Sequence, residues 1–393
     1  MQARTLADGI LWLGAVDWDR RLFDAVIPTP EGTSYNAYLV RGAEKVALLD
    51  SADPAFRAQF LRQLEGVPRV DYVIAHHAEQ DHSGCLPDVL ARYPQAELLC
   101  TTKARQMLCD LLPDLPAERI RTVEDGERLE LGGRTLRFLY LPWVHWPETM
   151  ASYLEEDKIL FSCDFFGSHL ATSSLWASGD DRTLAAAKLY YAQIMMPYAP
   201  VVRKDLEKVK ALDLKWIAPS HGPVYDKPEM IIQAHDQWLN ALPRNKVVIA
   251  HVSTHGSTAE SVDKLSELLV AQGIEIEPFE LTRLQLDRLA ASLVDAGTVV
   301  FAAPAIWNAP HPLAVMAMYV TAGLKPKAGY VGTMGSFGWS QKAIENVSAF
   351  LPGWKAEVLK PVNWRGAPRK EAFAEIEVLA KTIAEKHAAA GYK

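Results

Sequence analysis

The segment DYVIAHHAEQDHSG (residues 71–84) changes character at its midpoint. Tyr72 to Ala75 is an apolar run of the kind that forms a buried strand. It stops, and His77, Glu79, Asp81 and His82 follow within a few residues, each of a type that holds metal ions. Three later apolar runs end in the same way. LRFLYLPWV (136–144) meets His145, KILFSC (158–163) meets Asp164, and LKWIAPS (214–220) meets His221. In layered α/β folds strand ends converge on one edge, so the four runs predict one crevice in which all seven side chains meet. A site placed after strands also has the rigid backbone that metal binding needs. His76, one residue from the first ligand-type side chain, points to the opposite face if the strand continues, and is read as structural.

Working outward from that segment, the first part of the chain reads as short strands: KVALLD (45–50), DYVIA (71–75), AELLCT (96–101), TLRFLYL (135–141), KILFSCD (158–164) and LKWIAPS (214–220). Helical patterns such as PAFRAQFLRQLEG (54–66) and TLAAAKLYYAQIMM (183–196) lie between some of them. Strands dominate and helices are added outside, which describes an α/β layered sandwich rather than a doubly wound sheet. Character changes near ALPRNK (241–246). From Lys246 the chain alternates strictly, through strands VVIAHV, IEIEPFEL, TVVFAAP, KAGYVGTMG and KAEVLKPV. The intervening helices are AESVDKLSELLVAQG, QLDRLAASLVDAG, LAVMAMYVTAGL and SQKAIENVSAFL, with EAFAEIEVLAKTIAEKHAAAG last. Five strands alternating with five helices predict a doubly wound, five-stranded parallel sheet. The expected domains are 1–243 and 244–393.

Composition agrees with two domains. At 393 residues and 43.6 kDa the chain exceeds one ordinary core, with 49% hydrophobic and 23% charged residues. A formal charge of −7 and a pI near 5.9 argue against nucleic acid or an anionic membrane as partner. No apolar stretch approaches the ~20 residues of a membrane span, and the first residues lack the apolar core of a signal peptide, so a cytoplasmic location is expected. Cys85, Cys100, Cys109 and Cys163 contain no C-x-x-C pair, which excludes a rubredoxin-type or zinc-ribbon module and leaves them as small core residues.

The metal-type residues follow H-x-E-x-D-H with distant His, Asp and His. This resembles the metallo-β-lactamase superfamily, whose signature is H-x-H-x-D-H, with Glu79 in place of the middle histidine. Imidazole-rich pockets suit zinc, whereas hard carboxylate oxygens favour iron, whose ferric state needs anionic charge. Glu79, Asp81 and Asp164 offer three such charges. Joined to the second half, the H-x-E-x-D-H form resembles the flavodiiron protein family, or A-type flavoproteins. GAVDWDRRLFD, GTSYNAYLV and IAPSHG also carry that resemblance, which covers the whole chain. It implies a metallo-β-lactamase-like αββα sandwich followed by a flavodoxin-like domain. It implies that His77, Glu79 and His145 hold one iron, Asp81, His82 and His221 the other, and that Asp164 bridges. Tyr198, in MMPYAP, resembles a family tyrosine near the diiron pocket, placed to donate a hydrogen bond to substrate.

The second half offers a flavin site. Ser253, Thr254, His255, Gly256, Ser257 and Thr258 join its first strand to its first helix; hydroxyls, loop amides and a helix N-terminus suit a phosphate without any Lys or Arg. Two more loops leave the carboxyl ends of strands, where ligands bind such sheets. One carries Pro304, Ala305, Ile306, Trp307 and Asn308, the other Gly335, Ser336, Phe337, Gly338 and Trp339. Their aromatic rings suit stacking on an isoalloxazine. FMN is expected, and a nicotinamide dinucleotide is disfavoured because no G-x-G-x-x-G follows the strand.

A diiron site with FMN predicts a reductase that takes dioxygen to water, nitric oxide to nitrous oxide, or both. The resemblance implies rubredoxin or a similar small external electron donor, a reduced deazaflavin in some relatives, and a head-to-tail homodimer or a dimer of such dimers. The alternatives are a zinc-dependent hydrolase of the same superfamily with an appended flavodoxin domain, and an electron shuttle with an empty metal pocket. Glu79 argues against the first and the complete ligand set against the second.

Overall fold

A computed structural model describes residues 1–177, 179, 181–283, 286–339 and 347–393, the side chains of 347 and 348 apart. Two compact units make it up, Met1–Leu239 and Asn240–Lys393.

The first unit holds two large sheets and a two-stranded hairpin, Leu22–Phe23 with Ile27–Pro28. In the seven-stranded sheet β1 (Arg4–Ala7), β2 (Ile10–Asp17), β3 (Thr33–Arg41), β4 (Val46–Leu49), β5 (Tyr72–Ile74), β6 (Glu97–Cys100) and β7 (Ile120–Thr122) lie in chain order. Pairing is antiparallel from β1 to β4 and parallel from β4 to β7. The five-stranded sheet runs β8 (Arg128–Glu130), β9 (Thr135–Tyr140), β10 (Met150–Leu154), β11 (Ile159–Cys163) and β12 (Trp216–Pro219), with only its last pair parallel.

Strand period explains the layers. Ala37, Leu39, Leu48, Val73 and Leu98 pack outward on Phe60, Leu86, Val89 and Leu108, which belong to α1 (Arg57–Gln63), α3 (Leu86–Arg92) and α4 (Thr102–Leu111). Their neighbours Tyr38, Val40, Ala47, Leu49, Ile74 and Leu99 pack inward on Phe138, Met150, Ile159 and Phe161 of the second sheet. Both faces of the central strands are therefore buried, which is why they read as unbroken apolar runs. After the second sheet, α5 (Asp181–Tyr190), α6 (Ala199–Lys210) and α7 (Pro228–Asn240) each bury one face. Between the sheets His76 donates its backbone N–H to Asp50 Oδ1, its Nδ1 lies 2.6 Å from Asp50 Oδ2, and its Nε2 lies 2.8 Å from Ser152 Oγ. This Ser–His–Asp line has the order of a hydrolytic triad, yet all three residues are fully buried, so it works as a polar tie between sheets.

The second unit has one parallel sheet: β14 (Glu275–Glu280), β13 (Lys246–His251), β15 (Thr298–Ala302) and β16 (Tyr330–Phe337), with β17 (Glu357–Val358) and β18 (Val362–Arg365) both pairing β16. The spatial order second–first–third–fourth–fifth is flavodoxin-like. Around it lie α8 (Ser257–Val270), α9 (Leu286–Leu293), α10 (Pro312–Leu324) and α11 (Lys370–Ala390).

Local departures from the sequence reading have local causes. KAEVLKPV is two short strands, because Pro361 has no N–H to give the ladder. Pro278 is tolerated inside β14, which is an edge strand. TLAAAKLYYAQIMM is not one helix: α5 ends at Tyr190, a π-turn spans Tyr191–Met195, and a 3₁₀ turn spans Met196–Tyr198, where Pro197 cannot continue an α pattern. His145 does not end a strand, since β9 stops at Tyr140 and the residue sits in the loop to β10. Most of the expected helix SQKAIENVSAFL lies outside the described residues.

Candidate metal centre and second-unit cleft

His77 stands three residues beyond β5, and Glu79 directly precedes the one-turn helix α2 (Gln80–Ser83), which carries Asp81 and His82. Asp164 follows β11 directly, and His221 comes two residues after β12. With His145 they form one cluster, arranged as two groups that share Asp164. Nε2 of His77 and Nε2 of His145 lie 3.0 and 3.1 Å from Glu79 Oε2, and 3.5 and 3.4 Å from Asp164 Oδ2. Nε2 of His82 and Nε2 of His221 lie 3.3 and 3.4 Å from the other oxygen, Asp164 Oδ1. The same two nitrogens lie 3.3 and 3.2 Å from Asp81 Oδ1 and Oδ2 respectively.

Those distances are the edges of coordination polyhedra. Donors held roughly 2.0–2.2 Å from a cation stand about 3.0–3.5 Å from each other. Asp81 Oδ1 and Oδ2, His82 Nε2 and Asp164 Oδ2 are buried and make no hydrogen bond. Orphaned polar atoms at such a density are costly unless something binds them. Two cations would satisfy all of these atoms, and a set of four imidazoles and three carboxylates fits iron.

The outward ring nitrogens are pinned. His77 Nδ1 lies 2.8 Å from Glu148 Oε1, which also accepts the Ala78 N–H at 3.0 Å. His221 Nδ1 donates to the carbonyl oxygen of Ser34 at 2.6 Å. Each contact turns an Nε2 lone pair into the cluster. Neither Glu148 nor Ser34 was legible in the sequence, although Glu148 lies only three residues past His145.

Charge in the metal-free cluster is arranged as alternating partners. Burial opposes ionisation of Glu79, but hydrogen bonds from His145 and His77 hold it well below the usual carboxylate range. Burial likewise opposes the charged form of His145, yet Asp164 and Glu79 push it up to about 10. His77 is raised too, its hydrogen bonds to Glu148 and Glu79 outweighing burial. Asp164 is held far below its ordinary value, with His82, His145 and His77 overcoming the burial cost.

Tyr198 is half-buried and stacks on Trp143 with ring centroids 5.6 Å apart. A second tyrosine, not foreseen, reaches the cluster: Tyr190 donates to Asp164 Oδ1 at 2.9 Å. The π-turn starts directly after it. His169, also missed, is buried beside Tyr190 and His221, with Nδ1 held 2.9 Å from Thr33 Oγ1.

In the second unit a cleft of about 550 Å³ is lined by Ser253 to Thr258, Pro304, Ala305, Ser336, Phe337 and Gly338. Gly256 caps α8 at φ +88 and has no side chain of its own to cap the helix, whose first turn lines the cleft. Ser253 Oγ accepts from the Ala259 N–H, whereas the Ser257 hydroxyl is engaged, donating to the Gly366 carbonyl oxygen and accepting from Trp364 Nε1. Of the remaining expected contacts, Ile306 and Trp307 line a separate apolar hollow with Tyr319 and Phe350, and Trp307 and Trp339 are 82% and 85% exposed. Asn308, like Trp307, has positive φ in the turn of the Ala305–Pro310 hairpin, and Gly335 lies within β16; neither lines the cleft. Glu260, Gly366 and Ala367 line it and were not foreseen. The last two leave the carboxyl end of the fifth strand position, where the topology predicts ligand contacts.

Comparison with known proteins agrees with this geometry. A family model described as ODP family beta lactamase matches residues 33–222. A nitric oxide reductase of Moorella thermoacetica is 33% identical over 98% of this chain and 99% of its own length. The structure of the rubredoxin oxygen:oxidoreductase from Desulfovibrio gigas matches with TM-score 0.94 and 28% identity over 99% of each chain. That of the flavodiiron protein from Giardia intestinalis matches with TM-score 0.92 and 30% identity over 99% of this chain and 98% of that one. With identity and coverage of this order along both units, the chain belongs to the flavodiiron proteins, a family of oxidoreductases built from a lactamase-like and a flavodoxin-like domain.

Proposed function

We propose that this protein reduces dioxygen to water, nitric oxide to nitrous oxide, or both, with His77, Glu79, His145 and Asp164 around one iron and Asp81, His82, His221 and Asp164 around the other. The observation that carries the reading is Asp164, whose two oxygens face two complete donor sets. When bound, two irons and an FMN supply up to four electrons, the number that converts dioxygen and four protons to two waters; two electrons and two protons join two nitric oxides into nitrous oxide and water. Four protein donors for each iron would leave room for a diatomic substrate. The chain's own contribution is placement. Glu148 and the Ser34 carbonyl aim imidazoles, Tyr190 O–H steadies the shared carboxylate, and Phe23 and Trp146 pack on His221 and His77 to keep bulk water out.

The cleft lined by Ser253 to Thr258 suits the FMN phosphate, with Pro304, Ala305 and the 336–338 loop toward its ring. Electrons enter from an external carrier such as rubredoxin, as the names of relatives suggest. Two apolar surfaces support a head-to-tail homodimer. Trp18, Leu22, Val26 and Trp143 are exposed in the first unit, and Trp307, Tyr319 and Trp339 in the second. A pair in which each patch covers the other on its partner is a closed two-fold contact, and it sets the FMN of one copy toward the metals of the other. Among the described residues no helix is long and apolar enough to cross a membrane, and a cytoplasmic location is part of the proposal.

The test is to measure iron, zinc and FMN per chain, then compare anaerobic nitric oxide consumption with dioxygen consumption under one reduced donor. About two irons and one FMN, with donor-dependent turnover, are expected. Two zincs and hydrolytic activity without reductant would overturn the proposal.

A further inference from the structure

Cys163 plays no part in the reading above. It is the last residue of β11, fully buried, and holds φ at +54, a region that a non-glycine residue rarely enters. The turn that puts Asp164 into the cluster brings its neighbour with it: Cys163 Sγ, a ring nitrogen of His82 and a carboxylate oxygen of Asp164 all lie within 4.8 Å of one another. His82 and Asp164 are almost wholly buried, and His82 Nε2 and Asp164 Oδ2 have no hydrogen-bond partner. A nitrogen, a sulfur and an oxygen donor thus converge beside the proposed iron pair, and the sulfur is one that a hard, carboxylate-rich iron site does not require.

We propose that His82, Cys163 and Asp164 form an alternative donor set for a soft divalent cation, cadmium or zinc. The two arrangements exclude each other, because the thiolate set takes His82 from the second metal position and one oxygen from the shared carboxylate. Binding forms a metal–sulfur bond and sends the thiol proton to solvent; no electrons change hands. Soft ions therefore displace metal from the Asp81–His82–His221 position, whereas magnesium and manganese, which prefer oxygen, do not. The inference rests on the diiron reading only for what is displaced.

The full-length protein as purified is titrated with cadmium chloride while near-ultraviolet thiolate-to-cadmium absorption and bound metals are followed. The wild type gains that absorption with one cadmium per chain and loses one of its original metals per chain. Cys163→Asn, chosen because asparagine accepts positive φ, and Cys163→Ser keep metal content and turnover. Both lack the absorption and need at least tenfold more cadmium for half-displacement. Cadmium NMR of the wild type reports a sulfur donor without any variant, should either substitution fail to fold. Absence of the thiolate signal in the wild type, or its persistence in the variants through Cys85, Cys100 or Cys109, overturns the proposal. Both readouts remain available if the resident metal proves not to be iron, so the two readings fail separately.

Discussion

His77 shows how much of a metal site lies behind the ligands. Its Nδ1 is fixed by Glu148, whose second contact is the backbone N–H of Ala78, so one carboxylate positions both the ring and the chain that carries it. Glu148→Gln keeps the shape but removes the charge; metal affinity should fall by about 10- to 100-fold, read by chelator competition. The raised values of His145 and His77 set a pH dependence. His145 is protonated at neutrality in the metal-free protein, so an entering cation must expel that proton. Affinity should climb about tenfold per pH unit for each proton expelled, until His145 has titrated near 10. Proton release on metal addition in weak buffer checks the sign, and an affinity that is flat across neutral pH would contradict it. Two tyrosines can be separated as well. Tyr190→Phe should lower turnover several-fold with iron content intact; Tyr198→Phe, which leaves the Trp143 stack in place, should also lower turnover, and unchanged kinetics would remove Tyr198 from the site.

At the scale of elements, interruptions do the positioning. Helix α5 gives way to a π-turn directly after Tyr190, and π-turns of this kind are frequent at functional sites. Residue-by-residue periodicity cannot register such a turn, because a single inserted residue shifts the apolar pattern without erasing it. The short helix α2 follows the same logic, turning the chain so that Glu79 faces His77 and His145 while Asp81 faces His82 and His221. In the second unit Gly256 lets the loop enter α8, whose first turn lines the cleft. Gly256→Val puts a β-branched side chain at φ +88, at a strain of order 1–3 kcal/mol. FMN retention through gel filtration, measured by absorbance ratio, should fall at least tenfold, while the metal content of the first unit stays unchanged.

At the scale of the whole molecule, the exposed tryptophans are the feature a lone chain does not explain. Trp307 and Trp339 expose more than four-fifths of their surface, an arrangement that association relieves. If the partner copy completes the path from flavin to iron, donor-driven turnover per chain should drop on dilution in step with the dimer fraction seen by sedimentation. Trp307→Asp should shift that midpoint to higher protein concentration by about tenfold or more. Turnover independent of oligomeric state would remove the dimer from the mechanism.

Sequence alone determined the donor chemistry and the order of the two folds. Ligand types at strand ends are written as residue identities after apolar runs, and a parallel sheet announces itself by strict alternation of strands and helices. Only tertiary structure decided which atoms share Asp164, that His145 arrives on a loop, that Tyr190 reaches the cluster, and that Glu148 stands behind His77. Those facts depend on contacts between segments tens of residues apart, set by how two sheets pack, and local patterning carries no record of such distances.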